Sequence, residues 1–326
     1  MPDIRPSTFD QFIGQDRPKR VLQILCQAAR KRGGTVPHIL LSGPPGLGKT
    51  TLARIVAHEM GGRLVETIAS NLQYPDQLAS LLSGLQEGDV FFIDEVHGLS
   101  RAVEEILYSA MEDRHISVVQ PGFDSLMRAI GLPGKTETAR TVDLPPFTLI
   151  GATTLQGLLS APLRSRFIQA LTLEPYSVQD LQRIVMNAAS SLSFPVSPDS
   201  AYEIARRSRA TARIAIGHLQ WLTEFCTAGD RVPDMAAIEE AFALREIDVA
   251  GLTKLDRDYL RVLVETDGPV GIATLAATLG ESADTLAQSV EPWLVREAYV
   301  RRTPRGRVAG EKARAVLGGE VIRMVS

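Results

Sequence analysis

The sequence predicts an α/β chain that opens on a doubly wound parallel sheet and closes on two smaller, mostly helical domains. Three observations carry this. Gly43-Pro44-Pro45-Gly46-Leu47-Gly48-Lys49-Thr50 fits the phosphate-loop pattern G-x-x-x-x-G-K-[ST] without a mismatch. It lies between an apolar run at 39–41 and a helix-like segment at 51–60, the strand, loop and helix order that a phosphate cradle requires. Short, continuous apolar runs then alternate with helical spacing as far as Pro175, the pattern of strands buried on both faces. Beyond Pro175 the strand signal stops and does not return until a short stretch near 299–303.

In chain order, residues 5–15 are marked by Pro6 and are too irregular for regular structure, whereas 15–31 places Val21, Leu22, Leu25 and Ala28 at helical spacing. The phosphate loop and its helix follow, then a strand at 63–68 and a helix at 74–85. Asp89-Val90-Phe91-Phe92-Ile93-Asp94-Glu95 reads as a buried parallel strand ending in two acids. A helix at 101–114 and strands at 147–154 and 170–173 complete the α/β region, residues 1–175. Four helices are expected in 176–250, at 177–189, 197–207, 212–225 and 234–244, with Ser177, Ser197 and Asp234 as caps. Residues 251–326 show helices at 254–265, 271–279 and 283–294, then a β-like 299–303, a Pro304-Arg305-Gly306 turn and Arg307-Val308. Three helices and a two-stranded wing make a winged-helix domain.

Composition narrows the function classes. At 326 residues the chain is too long for one ordinary core. A net charge of -3 sets up no global basic field, so any nucleic-acid contact rests on a local patch. The N-terminal stretch has no apolar core of a signal peptide, and no run is long enough to span a bilayer. Cys26 and Cys226 belong to no C-x-x-C pair and read as reduced core thiols. The expected setting is cytoplasmic.

The candidate chemistry starts at the loop. Gly43, Gly46 and Gly48 let successive backbone N–H groups turn inward on phosphate oxygens, and the following helix adds the positive end of its dipole. Lys49 would reach the β- and γ-phosphates of a nucleoside triphosphate, while the Thr50 hydroxyl would ligate Mg²⁺. Asp94, at a strand end beside the loop, would hold the same Mg²⁺ through its water shell. Glu95 is placed to orient or deprotonate the attacking water. Arg296, Arg301, Arg302, Arg305, Arg307, Lys312 and Arg314 cluster in the last domain and suit a phosphate grip.

The strings 42–53 and Phe92-Ile93-Asp94-Glu95-Val96-His97 resemble the AAA+ ATPases, which implies an AAA+ P-loop domain, a helical lid and, here, a winged helix. More narrowly, the chain resembles the RuvB family of hexameric motors, which drive branch migration of Holliday junctions together with RuvA. That likeness rests on Leu107-Tyr108-Ser109-Ala110-Met111-Glu112-Asp113, on 144–154, and on Pro162-Leu163-Arg164-Ser165-Arg166-Phe167. It continues through Gly268-Pro269-Val270-Gly271, Glu291-Pro292-Trp293-Leu294 and 302–307.

The resemblance implies further roles. Ile4 and Arg5 match residues packing on the base and ribose side, and Tyr176 matches a nucleotide-contacting tyrosine. Thr51, Glu112 and Asp113 join the nucleotide-binding set. Thr154, with Thr153 beside it, matches sensor 1, Arg213 matches sensor 2, and Arg166 matches the arginine finger, with Arg164 its competitor. Arg302 and Arg307 match the family's contacts to duplex DNA. The implied partners are DNA junctions, a RuvA-like protein gripping a hairpin in 115–142, and further copies of the chain in a ring. An ATP-switched DNA-loading factor without processive motion is the alternative from another class.

Departures are local. Gly98 and Leu155 stand where the family has arginine, Ile168 where it has glycine, and the arginines after sensor 2 are largely missing. The 115–142 segment is longer than the family's hairpin. Within it Phe123, Leu126, Met127 and Ile130 form one apolar stripe at i, i+3, i+4 and i+7, expected to be a short helix docking on the partner.

Overall fold

The computed structural model describes residues 4–119, 139–266 and 268–324. Its first compact unit comprises Met1–Asp180 with Thr211–Arg213. In order it contains α1 (Asp16–Arg32), β1 (Ile39–Ser42), α2 (Lys49–Met60), β2 (Leu64–Ile68), α3 (Pro75–Ser83), β3 (Val90–Asp94) and α4 (Arg101–Glu112). A hairpin, β4 (His115–Val119) and β5 (Ala139–Asp143), precedes β6 (Thr148–Thr153), α5 (Ala161–Arg166) and β7 (Gln169–Thr172). The parallel sheet runs β2-β3-β6-β1-β7. Its inner strands β1 and β6 are buried along their whole length, which is why they read as unbroken apolar runs rather than alternating ones.

The register sets the site. Ser42 at the end of β1 pairs with Thr153 of β6, and Ile93 of β3 pairs with Gly151 of the same strand. The carboxyl ends of three neighbouring strands therefore present Ser42, Asp94 and Thr153 along one edge, where open α/β sheets bind ligands. Helix α2 starts at Lys49, two residues before the apolar spacing begins, so Lys49 and Thr50 belong to its first turn. Helix α5, at six residues, is too short to show a period in the sequence; Ser160 caps it by accepting the Leu163 N–H at 3.2 Å. The hairpin pairs His115 with Asp143 through Val119 with Ala139. The expected stripe at Phe123, Leu126, Met127 and Ile130 lies outside the described residues.

The second unit comprises Leu181–Ala210 and Ile214–Ser326. The helices of this stretch are α6 (Val178–Ser191), α7 (Pro198–Arg206), α8 (Ala212–Ala228) and α9 (Met235–Leu244). Ser177, Ser197 and Asp234 each accept the N–H of the residue three further on, as expected of caps. Then come α10 (Lys254–Glu265) and α11 (Ile272–Leu279).

The helix expected at 283–294 is present, with a π-helical turn inside it. It is divided into α12 (Ala283–Thr285), a π-helical turn at Leu286–Val290 and α13 (Glu291–Arg296). Pro292 has no N–H and would collide with the carbonyl four residues back, and the wider turn ahead of it makes the room. Strands β8 (Val300–Thr303) and β9 (Gly306–Ala309) form the wing. Helix α14 (Glu311–Met324) has no clear helical signal in the sequence, since Gly318-Gly319 interrupts its spacing; Ala313 and Leu317 bury it in the winged-helix core.

Inside α8, His218 is buried against Phe242, rings edge-to-face at 4.9 Å, with the Arg245 guanidinium 3.3 Å from its Nδ1. Burial pushes the imidazole pKa down to about 3, and the Arg245 charge acts in the same direction. The native state thus refuses a proton that the unfolded chain accepts from about pH 6.5 downward, so stability is full above that pH and is lost as pH falls toward 3. This single group is expected to remove on the order of 2 kcal/mol between pH 7 and pH 5. Urea melts of His218→Gln should show a smaller drop over that interval than the parent; equal drops would remove His218 as the cause.

Candidate functional site

The phosphate loop is shaped by its glycines. Gly43, Gly46 and Gly48 all have positive φ, and a Cβ on Gly48 would come within 2.8 Å of the Phe12 ring. A Cβ on Gly46 would meet the Thr211 methyl at 2.6 Å and Arg213 Cβ at 2.9 Å, so the loop turns against 211–213 as closely as a backbone can. The Arg213 N–H donates to the Gly46 carbonyl at 3.3 Å, and its side chain is exposed. From below, Phe9, Phe12 and Ile13 of the irregular N-terminal stretch are buried, and Tyr176 donates its hydroxyl to the Leu47 carbonyl at 3.0 Å. Burial raises the Tyr176 pKa, so that donor stays protonated.

Lys49 is only 7 % exposed, and its ammonium donates to the Gly43 and Pro44 carbonyls at 2.7 and 3.0 Å. An ammonium has three protons, and the third has no acceptor among the described residues. Burial lowers the Lys49 pKa and Arg213 adds to that, while the charges of Asp94 and Glu95 raise it. Cation and acids therefore share one low-dielectric edge. Thr50 and Thr51 follow, half-buried, in the first turn of α2, where unpaired N–H groups favour an anion.

Across the loop, Asp94 accepts the Glu95 N–H at Oδ1, 3.0 Å away. Glu95 sits in the left-handed region, φ 49 and ψ 44, a conformation that costs a non-glycine residue roughly 1 kcal/mol or more. Its contacts fall on one oxygen. Oε2 accepts from the Thr154 hydroxyl at 3.1 Å and N–H at 3.3 Å, and His97 Nδ1 lies 3.2 Å from it. His97 Nδ1 is also 3.0 Å from the Thr153 hydroxyl. Oε1 has no hydrogen-bond partner among the described residues, and the bonds to Oε2 tie the carboxylate to Thr154, the residue after β6. These residues fit a magnesium-bound triphosphate: a spare ammonium proton and a helix N-terminus for the anion, hard oxygen donors at Thr50 and Asp94 for the cation.

Arg166 is elsewhere. Its guanidinium stacks 4.2 Å from the Tyr108 ring centroid, donates to the Pro162 carbonyl at 2.8 Å and pairs with Glu112 at 3.1 Å. The buried Glu104 carboxylate accepts the Tyr108 hydroxyl at 2.6 Å and the Ser160 hydroxyl at 2.7 Å, tying α4 to the cap of α5. Neither Arg166 nor Glu112 touches Lys49 or Glu95 of the same chain. Arg164 and Asp113 are exposed, as is Arg5, and Ile4 is half-buried.

In the second unit, Arg302 and Arg307 are not free wing cations. Both pair with Glu291, at 2.6 and 2.7 Å. Arg296 and Lys312 similarly pair with Glu297, whereas Arg301, Arg305 and Arg314 are exposed. Sequence reasoning did not single out His97, Glu104 or Glu291. Glu104 and Tyr108 stand at i and i+4 on a helix, a visible signal; the other two gave none beyond lying inside quoted strings.

Comparison with known proteins agrees with this geometry. Residues 4–173 match the family model for the Holliday junction DNA helicase RuvB P-loop domain, 176–248 the RuvB AAA lid domain and 249–318 the RuvB C-terminal winged helix domain. The Holliday junction branch migration complex subunit RuvB of Lactobacillus gasseri is 43% identical over 318 residues, 97% of this chain and 91% of that protein. Its counterpart in Salinibacter ruber is 44% identical over 315 residues, 95% of this chain and 88% of the relative. The solved structure of the Thermotoga maritima RuvB Holliday junction branch migration motor superposes with a TM-score of 0.82 at 40% identity, covering 97% of this chain and 98% of that one. A point variant of the same Thermotoga protein gives 0.84 at 41% identity, covering 96% of this chain and 98% of that one.

Proposed function

Because the chain belongs to the RuvB family, we propose that it is an ATP-hydrolysing ring motor that moves duplex DNA to drive Holliday junction branch migration with a RuvA-like partner. One observation carries the reading: a buried lysine with a spare proton, a helix N-terminus and a glutamate held by one oxygen converge at the edge of a parallel sheet.

Each residue has a task at that edge. Gly43, Gly46, Gly48 and the first turn of α2, with Thr51, wrap the phosphates, and Lys49 and Arg213 neutralise them. Thr50 and Asp94 would hold Mg²⁺, which when bound offsets charge on the β- and γ-phosphates. Glu95 orients the attacking water through Oε1 and takes up its proton, while Thr154 and His97 hold Oε2. Ile4, Arg5 and Tyr176 close the base and ribose side. Arg166, with Glu112 and Asp113, serves the site of the neighbouring subunit, as head-to-tail assembly allows. The winged helix grips the DNA backbone through Arg302 and Arg307, and the hairpin β4–β5 is the surface offered to the partner.

Branch migration of a synthetic four-way junction, with ATP and a cognate RuvA, tests the whole reading. Junction movement is expected from the parent protein and none from Lys49→Ala, which should also lose nucleotide binding by at least about a hundredfold. DNA binding without junction movement by the parent would favour the loading-factor alternative.

A further inference from the structure

The Glu291-Pro292-Trp293-Leu294 motif has no part in the chemistry above, yet its glutamate is, among the described residues, the most completely buried charge in the winged helix, at 0 % exposure. A carboxylate goes there only against strong partners. Glu291 has three. Oε1 accepts from the Tyr259 hydroxyl at 2.8 Å and Arg307 Nε at 2.7 Å; Oε2 accepts from Arg302 Nε at 2.7 Å and Arg307 Nη2 at 3.3 Å. Burial alone would push its carboxyl up, but the bonds from Arg307 and Tyr259 and the two arginine charges outweigh it and hold it below the ordinary glutamate value.

The wing explains why a counter-charge is needed. Arg302 and Arg307 are directly opposite each other in the β8–β9 register. Like charges so placed repel and destabilise a two-stranded ribbon. The same strand is fixed on its other side: Arg307 and Val270 exchange both backbone hydrogen bonds, at 2.8 and 2.9 Å. Gly306, at φ 143, permits this because a Cβ there would lie 2.5 Å from the Val270 carbonyl oxygen. The backbone of the wing is therefore placed by Val270, and the guanidiniums by Glu291. Arg302 is half-exposed and uses Nε and Nη2 on the carboxylate, so its Nη1 faces away with no partner among the described residues. The trio keeps a net positive charge, carried outward on a fixed fork.

We propose that Glu291 is a positioning residue for DNA, a buried anion that aims the wing arginines at the phosphate backbone instead of merely neutralising them. This rests on the DNA-binding reading given above. It also makes a prediction opposite in sign to simple electrostatics. Glu291→Gln adds one positive charge to the domain, which by counterion release alone should tighten binding. If Glu291 aims the arginines, affinity falls instead.

The test uses the full chain and a labelled duplex of arbitrary sequence, with fluorescence anisotropy across a salt series and a melting curve for each variant. Arg302→Ala should weaken binding by about threefold to tenfold and shallow the salt slope by about one unit. Glu291→Gln should weaken it by a similar factor, and adding Arg302→Ala to Glu291→Gln should then change little, less than about twofold. Additive losses in that cycle, or affinity of a folded Glu291→Gln protein equal to or above the parent's, would overturn the positioning role. Arg302→Lys keeps the charge at a half-exposed position but gives up the fork, and covers the case in which Glu291→Gln does not fold. It should bind nearly as weakly as Arg302→Ala; parental affinity would count against the proposal. Parental affinity for Arg302→Ala itself would instead remove the DNA-binding reading at this wing.

Discussion

Glu95→Gln is expected to bind ATP within about twofold of the parent and to turn it over roughly 10²–10⁴ times more slowly, the range that a positioned general base contributes. The amide is close in shape to the carboxylate and can still accept from the Thr154 hydroxyl, so the position stays filled. What it loses is the ability to take a proton from water. Lys49, Thr50 and the loop glycines, to which the proposed reading assigns affinity, do not contact Glu95 except through its charge on Lys49. Single-turnover hydrolysis and nucleotide titration, measured on the same preparation, separate the two effects. Turnover within about tenfold of the parent would move the base elsewhere.

On the proposed finger role, Arg166→Ala is expected to lower turnover further, by about 10³–10⁵ in an assembled ring, because a finger offsets charge that develops only in the transition state. The folded protein should tolerate the change: the guanidinium lies on the Tyr108 ring, and Glu112 is more than half exposed and can be solvated. Mixed with Glu95→Gln subunits, the Arg166→Ala protein should recover part of its activity. In such rings some interfaces place an intact Arg166 next to an intact Glu95. Absence of recovery at any ratio, with co-assembly shown by mass, would place the finger within its own chain or on Arg164.

Much of the α/β domain was legible because burial on both faces writes itself as uninterrupted apolar runs: Ile39-Leu40-Leu41, Val90-Phe91-Phe92-Ile93 and Thr148 onward became β1, β3 and β6. The phosphate loop was legible because only glycine tolerates φ of 101 where Gly48 meets Phe12. Other features depend on pairings that a linear reading does not contain. Glu291 and Arg307 are 16 positions apart and Glu104 and Ser160 are 56 apart. Nothing at either end marks these as partners. The wing arginines looked like a bare basic patch because the acid that binds them is on a different element, and the π-helical turn inside the helix at 283–294 was hidden because Pro292 alone does not say how the backbone will make way for it.

The irregular N-terminal stretch has a consequence for the order in which the protein can form. Gln15 exchanges two hydrogen bonds with the backbone of Glu174, 159 positions later. Gly14, next to it, is packed against Tyr176, whose hydroxyl secures the underside of the phosphate loop. At about 5–20 residues per second, a ribosome takes roughly 8–30 s to make the chain between these partners. Throughout that interval Phe9, Phe12 and Ile13 are synthesised but have no complete seat, and the loop above them lacks its support. The phosphate loop, encoded within the first third of the chain, is thus one of the last parts of its domain to be finished, and contacts of such long range slow folding. Nascent chains stalled before Tyr176 would carry the full phosphate-loop sequence without the structure that makes it bind.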